Sequence, residues 1–159
     1  MTTEDILVAN AVDVWKGIFE RADKLFNGLS EEELEKRVAP DRNRSIYIWG
    51  HLTATHDRAI ALLGVGERLR PEFDAIFLNS ADGMTQLPTA KEIRDAWKQV
   101  SDRLNAAIVG LSAVDWLEKH TAVNQEDFAK EPLRNKLAIL LTRTNHLSYH
   151  LGQMVLVRS

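Results

Sequence analysis

The stretch TNHLSYHLGQM, at residues 144–154, places His146 and His150 four residues apart near the end of the chain. Leu147 and Leu151 belong to an apolar stripe with helical spacing, so the stretch is predicted to be part of an amphipathic helix. Residues four apart lie about 40° apart around a helix, and both imidazoles could therefore bind one metal ion. The same spacing also suits two ordinary surface histidines. A metal site needs a third ligand.

Three other segments show the same helical period, and none shows the alternation that is typical of a β-strand. Each apolar stripe needs a neighbour to cover it, so we predict an all-α four-helix bundle made by a single domain over residues 1–159. The first helix is predicted to begin near Thr2 or Thr3 and end at Gly28, and the second to take Ser45 as its N-cap and end at Gly64 or Gly66. The third is predicted to follow a cap at Thr89 and end near Gly110, and the fourth to begin at Pro132 and run almost to the end of the chain.

The connections between these helices are predicted to be short turns and loops. Capping-box patterns predict a short helix after Ser30, and Ser112 starts one further turn. Residues 65–88 and 121–131 lack a clear period, so we predict loops there. Side chains predicted to face the core include Leu7 and Val14 in the first helix, Leu133, Leu141 and Val155 in the fourth, and Trp15, Trp49, Trp97 and Trp116.

The composition excludes several classes of function. Hydrophobic residues make up 45% of the chain, and no apolar run is long enough to span a bilayer. The polar N-terminal segment lacks a signal-peptide pattern, so we expect a cytoplasmic protein. A net charge of −3 without a basic face argues against nucleic-acid binding. With no cysteine in the chain, any metal must be bound by His, Asp or Glu, and any reactive thiol must come from another molecule.

The second helix supplies a candidate third ligand. His51 lies near its start, whereas His146 and His150 lie toward the end of theirs, so antiparallel helices would bring the three together. His56 lies about 140° from His51 around the helix, and we expect it to be structural. Three neutral imidazoles and an open position are typical of catalytic zinc sites, and nickel or iron would also accept them. The helical positions are equally compatible with three structural histidines at the edge of the core.

Two polar residues on the fourth helix flank the histidines. Arg143 and Gln153 are candidate anion or substrate contacts, although exposed helix residues of these types are common without such a role. The chain has no GxSxG, P-loop or HExxH motif, so no other catalytic signature competes with the histidines.

The segments IWGHLTATHDR, at 48–58, and NHLSYHLGQM, at 145–154, together resemble the DinB superfamily. The resemblance implies a four-helix bundle, usually dimeric, with a divalent metal bound by His51, His146 and His150. We expect that metal to be zinc or nickel. Several members of this superfamily are transferases or isomerases that act with a low-molecular-weight thiol such as mycothiol, bacillithiol or glutathione. The resemblance gives His56 no fixed role.

Three functions follow as hypotheses. The leading one is a metal-dependent enzyme that transfers a thiol cosubstrate to a small electrophile. The second is a hydrolase of a small substrate that uses metal-bound hydroxide. The third is a non-catalytic dimeric bundle with a binding or structural role. A homodimer is expected from the resemblance and from Ile60, Leu63 and Leu156, which would give their helices a second apolar face.

Overall fold

The structure, a computed structural model, describes residues 1–158 and is all-α. No β-strand occurs among these residues, and two isolated bridges are the only extended pairing in this region. The helices in chain order are α1 Thr3–Gly28, α2 Glu31–Glu35, α3 Ser45–Leu62, α4 Phe73–Phe77, α5 Ala90–Gly110, α6 Ala113–Leu117, α7 Gln125–Lys130 and α8 Lys136–Met154, followed by a 3₁₀ turn at Val155–Val157.

The four long helices, α1, α3, α5 and α8, enclose one hydrophobic core. α1 packs against α8, α8 against α3, α3 against α5, and α5 against α1. α3 is the most central, because nearly all of its side chains are buried apart from His51, Arg58 and the last turn. The prediction that all four tryptophans lie in the core is confirmed.

Local side-chain hydrogen bonds fix where several helices begin. The predicted capping boxes at Ser30 and Thr89 are present, as is the box at Ser112 that starts the predicted extra turn. Thr2 caps α1 in the same way, with Asp5 as its partner. Each box satisfies amide groups that lack partners inside the helix.

Two predicted helix starts are wrong. Ser45 is the first residue of α3 and not its N-cap, because the preceding Arg44 donates its amide to Asp82 and Ser45 donates its hydroxyl to the Lys36 carbonyl. The fourth long helix begins at Lys136 and not at Pro132, with Asn135 as its N-cap. Backbone pairing with residues 118–120 holds residues 134–136 extended, so the helix cannot start earlier. α3 also ends at Leu62, just before the predicted stop.

The two predicted loops each contain a short helix, α4 and α7. α4 is tied to α3 by ion pairs: buried Asp57 accepts from Arg68 and from the amides of Leu69 and Arg70, and Arg68 also donates to Asp74 of α4. The connection after α3 is therefore held in place against that helix.

Several predicted core positions are wrong. The buried line of α1 runs through Val8, Trp15 and Ala22, which turns Leu7 and Val14 outward, 61% and 57% exposed. On the last helix and its flanks, Leu133, Leu141 and Val155 are exposed, because Leu133 precedes the helix and the other two lie off its buried stripe. Conversely, Ile60 and Leu63 are buried inside the chain and form no second apolar helix face.

No helix within residues 1–158 has both the length and the apolar character required to cross a bilayer.

Candidate metal centre

The structure brings His51 of α3 together with His146 and His150 of α8. The Nε2 atom of His146 lies 3.0 Å from Nε2 of His51 and 3.1 Å from Nε2 of His150. His51 and His146 are only partly buried, so the point where the nitrogens converge is close to the protein surface. The sequence prediction that these residues meet is thus realised in the fold.

Hydrogen bonds at the other ring nitrogen fix the tautomer of two of these histidines. Nδ1 of His51 lies 2.9 Å from the Phe77 carbonyl, which can only accept, so Nδ1 carries the proton. Nδ1 of His150 lies 2.7 Å from Oε1 of Gln153, whose amide nitrogen in turn donates to the Tyr149 hydroxyl. A neutral imidazole has one N–H group, so Nε2 of both residues is a bare lone pair.

Hydrogen bonding alone does not satisfy the three converging nitrogens. His146 has at most one proton at Nε2 when neutral and can direct it at only one of the two neighbouring lone pairs. A shared cation satisfies all three: zinc–nitrogen bonds of about 2.0–2.1 Å in tetrahedral geometry put ligand nitrogens about 3.3 Å apart. Buried Nδ1 of His146 has no hydrogen-bond partner, which is compatible with ligation through Nε2. The donor set therefore fits a divalent metal ion.

The protonation equilibria favour the form of imidazole that binds metals. Burial, followed by the charges of neighbouring histidines and of Arg143, lowers the pKa of His146 to about 4. Burial also lowers the pKa of His150 to about 4, although the bond to Gln153 opposes it. The pKa of His51 is lowered by burial too. All three are neutral at pH 7, as ligands must be.

α4, which was not predicted from the sequence, positions His51. Its last residue, Phe77, supplies the carbonyl that accepts the hydrogen bond from Nδ1, and the Tyr47 hydroxyl lies 3.2 Å from the same carbonyl while making its shorter bond, 2.6 Å, to the Ser80 carbonyl. Gly50 permits this approach, because a Cβ at that position would collide with the Phe77 ring. A glycine inside a helix directly before a candidate ligand was the signal for a close neighbour.

The other candidate residues lie at different distances from the centre. Gln153 contacts His150 directly. Arg143 lies one turn before His146, and its Nε is shut off from solvent without a hydrogen-bond partner. His56 is fully buried between Trp15 and Trp97, with 5.2 Å between ring centroids in each case, and does not belong to the cluster. A cavity of about 200 Å³ opens beside His150 and Gln153, with the 38–43 segment and Tyr149 on its walls.

Comparison with known proteins agrees with this geometry. A family model described as the DinB superfamily matches residues 16–154, a span that contains all three clustered histidines. No curated protein matches the sequence.

Proposed function

Because this chain belongs to the DinB superfamily, we propose that His51, His146 and His150 bind one divalent metal ion in the active centre of a metal-dependent enzyme. The observation that carries the proposal is the convergence of three Nε2 atoms, two of them with their lone pairs fixed by proton donation at Nδ1. A site with three protein ligands leaves a position for a small molecule.

We assign the activity to transfer of an external thiol to a small electrophile, with zinc or nickel as the metal. A divalent ion in such a site lowers the pKa of a thiol or water molecule bound to it. No cysteine is present in the chain, so the thiol must be a cosubstrate. The Phe77 carbonyl and Gln153 keep His51 and His150 in the ligating tautomer, and we assign Gln153 to this positioning role.

The proposal also covers the arrangement of the long helices and the oligomeric state. We propose that α1, α3, α5 and α8 form the four-helix bundle of the superfamily and that two copies form a homodimer. Ile60 and Leu63 are buried within the chain and do not support the dimer. Leu156 supports it, because its side chain is 72% exposed. Sedimentation at micromolar concentration should show a dimer; a species of only 18.0 kDa would contradict it.

Metal content is the first test of the proposed function. Elemental analysis of tag-free protein should give one divalent ion per chain, and His51→Ala, His146→Ala and His150→Ala should each reduce it. His56→Ala is the matched control, because His56 is on the same helix and fully buried but outside the cluster. Equal metal loss in His56→Ala and His51→Ala would contradict the ligand assignment.

Turnover is the second test. A panel of electrophiles should be consumed with a low-molecular-weight thiol and added Zn²⁺ or Ni²⁺, and not when either is omitted. Turnover that needs metal but no thiol would indicate hydrolysis instead. Stoichiometric metal binding without any turnover would leave the non-catalytic bundle as the better description.

A further inference from the structure

Arg143 is a partly buried cation with no anionic partner. The other arginines that line α3 and α4 are neutralised: Arg58 binds Asp74, and Arg68 binds both Asp57 and Asp74. Among residues 1–158, the Arg143 side chain makes no ion pair or hydrogen bond. A buried charge is normally paired, because removing it from water without a partner is unfavourable. A charge left unpaired here indicates that its partner is a ligand.

Arg143 lies on the same side of α8 as the clustered histidines. Arg143 is three residues before His146 and seven before His150, so all three lie on one strip of α8. After burial, the charge of Arg143 is among the causes that lower the pKa of His51, of His146 and of the buried His56, so Arg143 lies near the cluster and also near the His56 ring. Arg58 of α3 lies near it on the facing helix. A cation therefore lies near the three histidines where α8 packs against α3.

The guanidinium remains open to a ligand at its outer end. Only Nε is both shut off from solvent and without a partner, whereas the two terminal nitrogens stay accessible. Such a fork matches the two oxygens of a carboxylate. One unpaired guanidinium neutralises one negative charge, which favours a carboxylate over a phosphate dianion.

We propose that Arg143 binds a carboxylate group of the small molecule that occupies the metal centre. The proposal rests on the function proposed above and adds the chemical class of its ligand. The carboxylate can belong to the electrophile or to the thiol cosubstrate, and the two sources are separated by pairs of probes that differ only in charge. Acrylate against acrylamide tests the electrophile, and mercaptoacetate against mercaptoacetamide tests the thiol.

The test uses titration calorimetry and the NMR signal of the Arg143 Nε–H group. This signal is assigned from its loss in Arg143→Gln. In zinc-loaded wild-type protein, at least one acid should bind roughly 10- to 100-fold more tightly than its amide and shift the Nε–H signal. Arg143→Gln should remove this preference, Arg143→Lys should retain part of it, and exposed Arg21→Gln should keep it whole. Equal binding of acid and amide in both pairs would overturn the proposal, as would tighter binding of inorganic phosphate than of either acid.

The same series separates the two proposals from each other. Metal stoichiometry, measured on each variant, should be unchanged in Arg143→Gln, and without ligand this variant should melt at the same or a higher temperature because an unpaired charge has been removed. If zinc fails to bind wild-type protein while the acid still shifts the Nε–H signal, the proposed function fails and the anion site stands. If zinc binds but neither acid binds more tightly than its amide or shifts the Nε–H signal, the carboxylate proposal fails and the proposed metal site stands.

Discussion

His146 differs from the other two clustered histidines in having no partner at Nδ1. His51 and His150 each donate from Nδ1 to an oxygen outside the cluster, whereas the polar contacts of His146 are only those of its Nε2 with the other two rings. Hydrogen bonds at the outer nitrogen fix ring orientation and raise ligand basicity. The contribution of the surroundings to metal affinity should therefore be concentrated at His51 and His150.

Gln153→Ala should weaken metal binding about 10- to 100-fold, because it frees the His150 ring and removes the acceptor for its proton. Competition with a chromophoric chelator measures this directly. Tyr149→Phe is the matched control, since it deletes only the hydroxyl that contacts the far end of Gln153, and its effect should be much smaller. An unchanged affinity in Gln153→Ala would show that Gln153 does not position His150.

His56 should make the protein sensitive to acid. Burial, with smaller effects from Arg143, His146 and His51, lowers the pKa of His56 to about 3, so the folded state keeps it neutral. In the unfolded chain the pKa returns to about 6.5. The unfolded state then binds more protons between these values, and stability present above about pH 6.5 is lost as pH falls toward 3, by up to about 1.4 kcal/mol per pH unit.

The variant His56→Phe tests this contribution. Phenylalanine keeps an aromatic ring between Trp15 and Trp97 but cannot titrate. Urea unfolding of metal-free protein between pH 6 and pH 4 should show a shallower loss of stability than in wild type. An identical slope in the two proteins would mean that His56 is not the buried neutral group described here.

The three clustered histidines were predictable from the sequence, but their hydrogen-bond partners were not. The positions of His51, His146 and His150 around two helices were sufficient to bring them together. The partner of His51 is a backbone carbonyl at Phe77, and every residue carries such a group, so the sequence does not identify which residue supplies it. The unpaired state of Arg143 likewise depends on where distant carboxylates lie.

At the scale of elements, α4 links the loop after α3 to the three clustered histidines. Buried Asp57 holds Arg68, Arg68 holds Asp74 of α4, and α4 presents the Phe77 carbonyl to His51. The Phe77 ring packs against Gly50 so closely that no other residue type fits there without displacement. A change at Gly50 should therefore act on the metal through α4.

Gly50→Ala should displace Phe77, release Nδ1 of His51 and lower metal affinity about 10- to 100-fold. Gly152→Ala is the control: Gly152 is also inside a helix, between His150 and Gln153, but an added Cβ would meet nothing within 4 Å. That variant should keep its metal affinity and gain about 0.5–1 kcal/mol of stability from helix propensity. Chelator competition and urea unfolding give both values, and equal affinities in the two variants would exclude the role of α4.

Long helices were predictable because each repeats its apolar stripe over several turns, and the short helices α2 and α6 were predictable from their capping boxes, whereas α4 and α7 were not predicted. α4 and α7 have five and six residues, too few for a period to show. The start of α8 was misplaced because Pro132 suits a first turn, whereas the pairing of Lys136 with Glu118 decides the boundary. Long-range contacts thus override local preference at these ends.

At the scale of the whole molecule, metal binding and folding should be coupled, because the ligands come from α3 and α8, which approach only in the folded chain. An ion that binds the folded state alone adds about 2.7 kcal/mol of stability at a concentration 100 times its Kd. For a chain of this size that corresponds to a rise in Tm of about 5 to 10 °C.

Thermal melts of metal-stripped protein with and without Zn²⁺ or Ni²⁺, from pH 7.5 downward, test this coupling. Protons compete with metal for the folded site, and burial keeps the pKa of His146 and His150 at about 4 there. The increase in Tm should therefore remain nearly constant down to about pH 5 and disappear only as pH approaches 4. With exposed histidines of pKa near 6.5, the increase in Tm would instead be lost between about pH 6.5 and 5.

The triple alanine variant of the clustered histidines should show no increase in Tm at any pH. An absence of stabilisation in wild-type protein at pH 7.5 would contradict the proposed metal centre itself, because three neutral, converging imidazoles are expected to bind a divalent ion under those conditions.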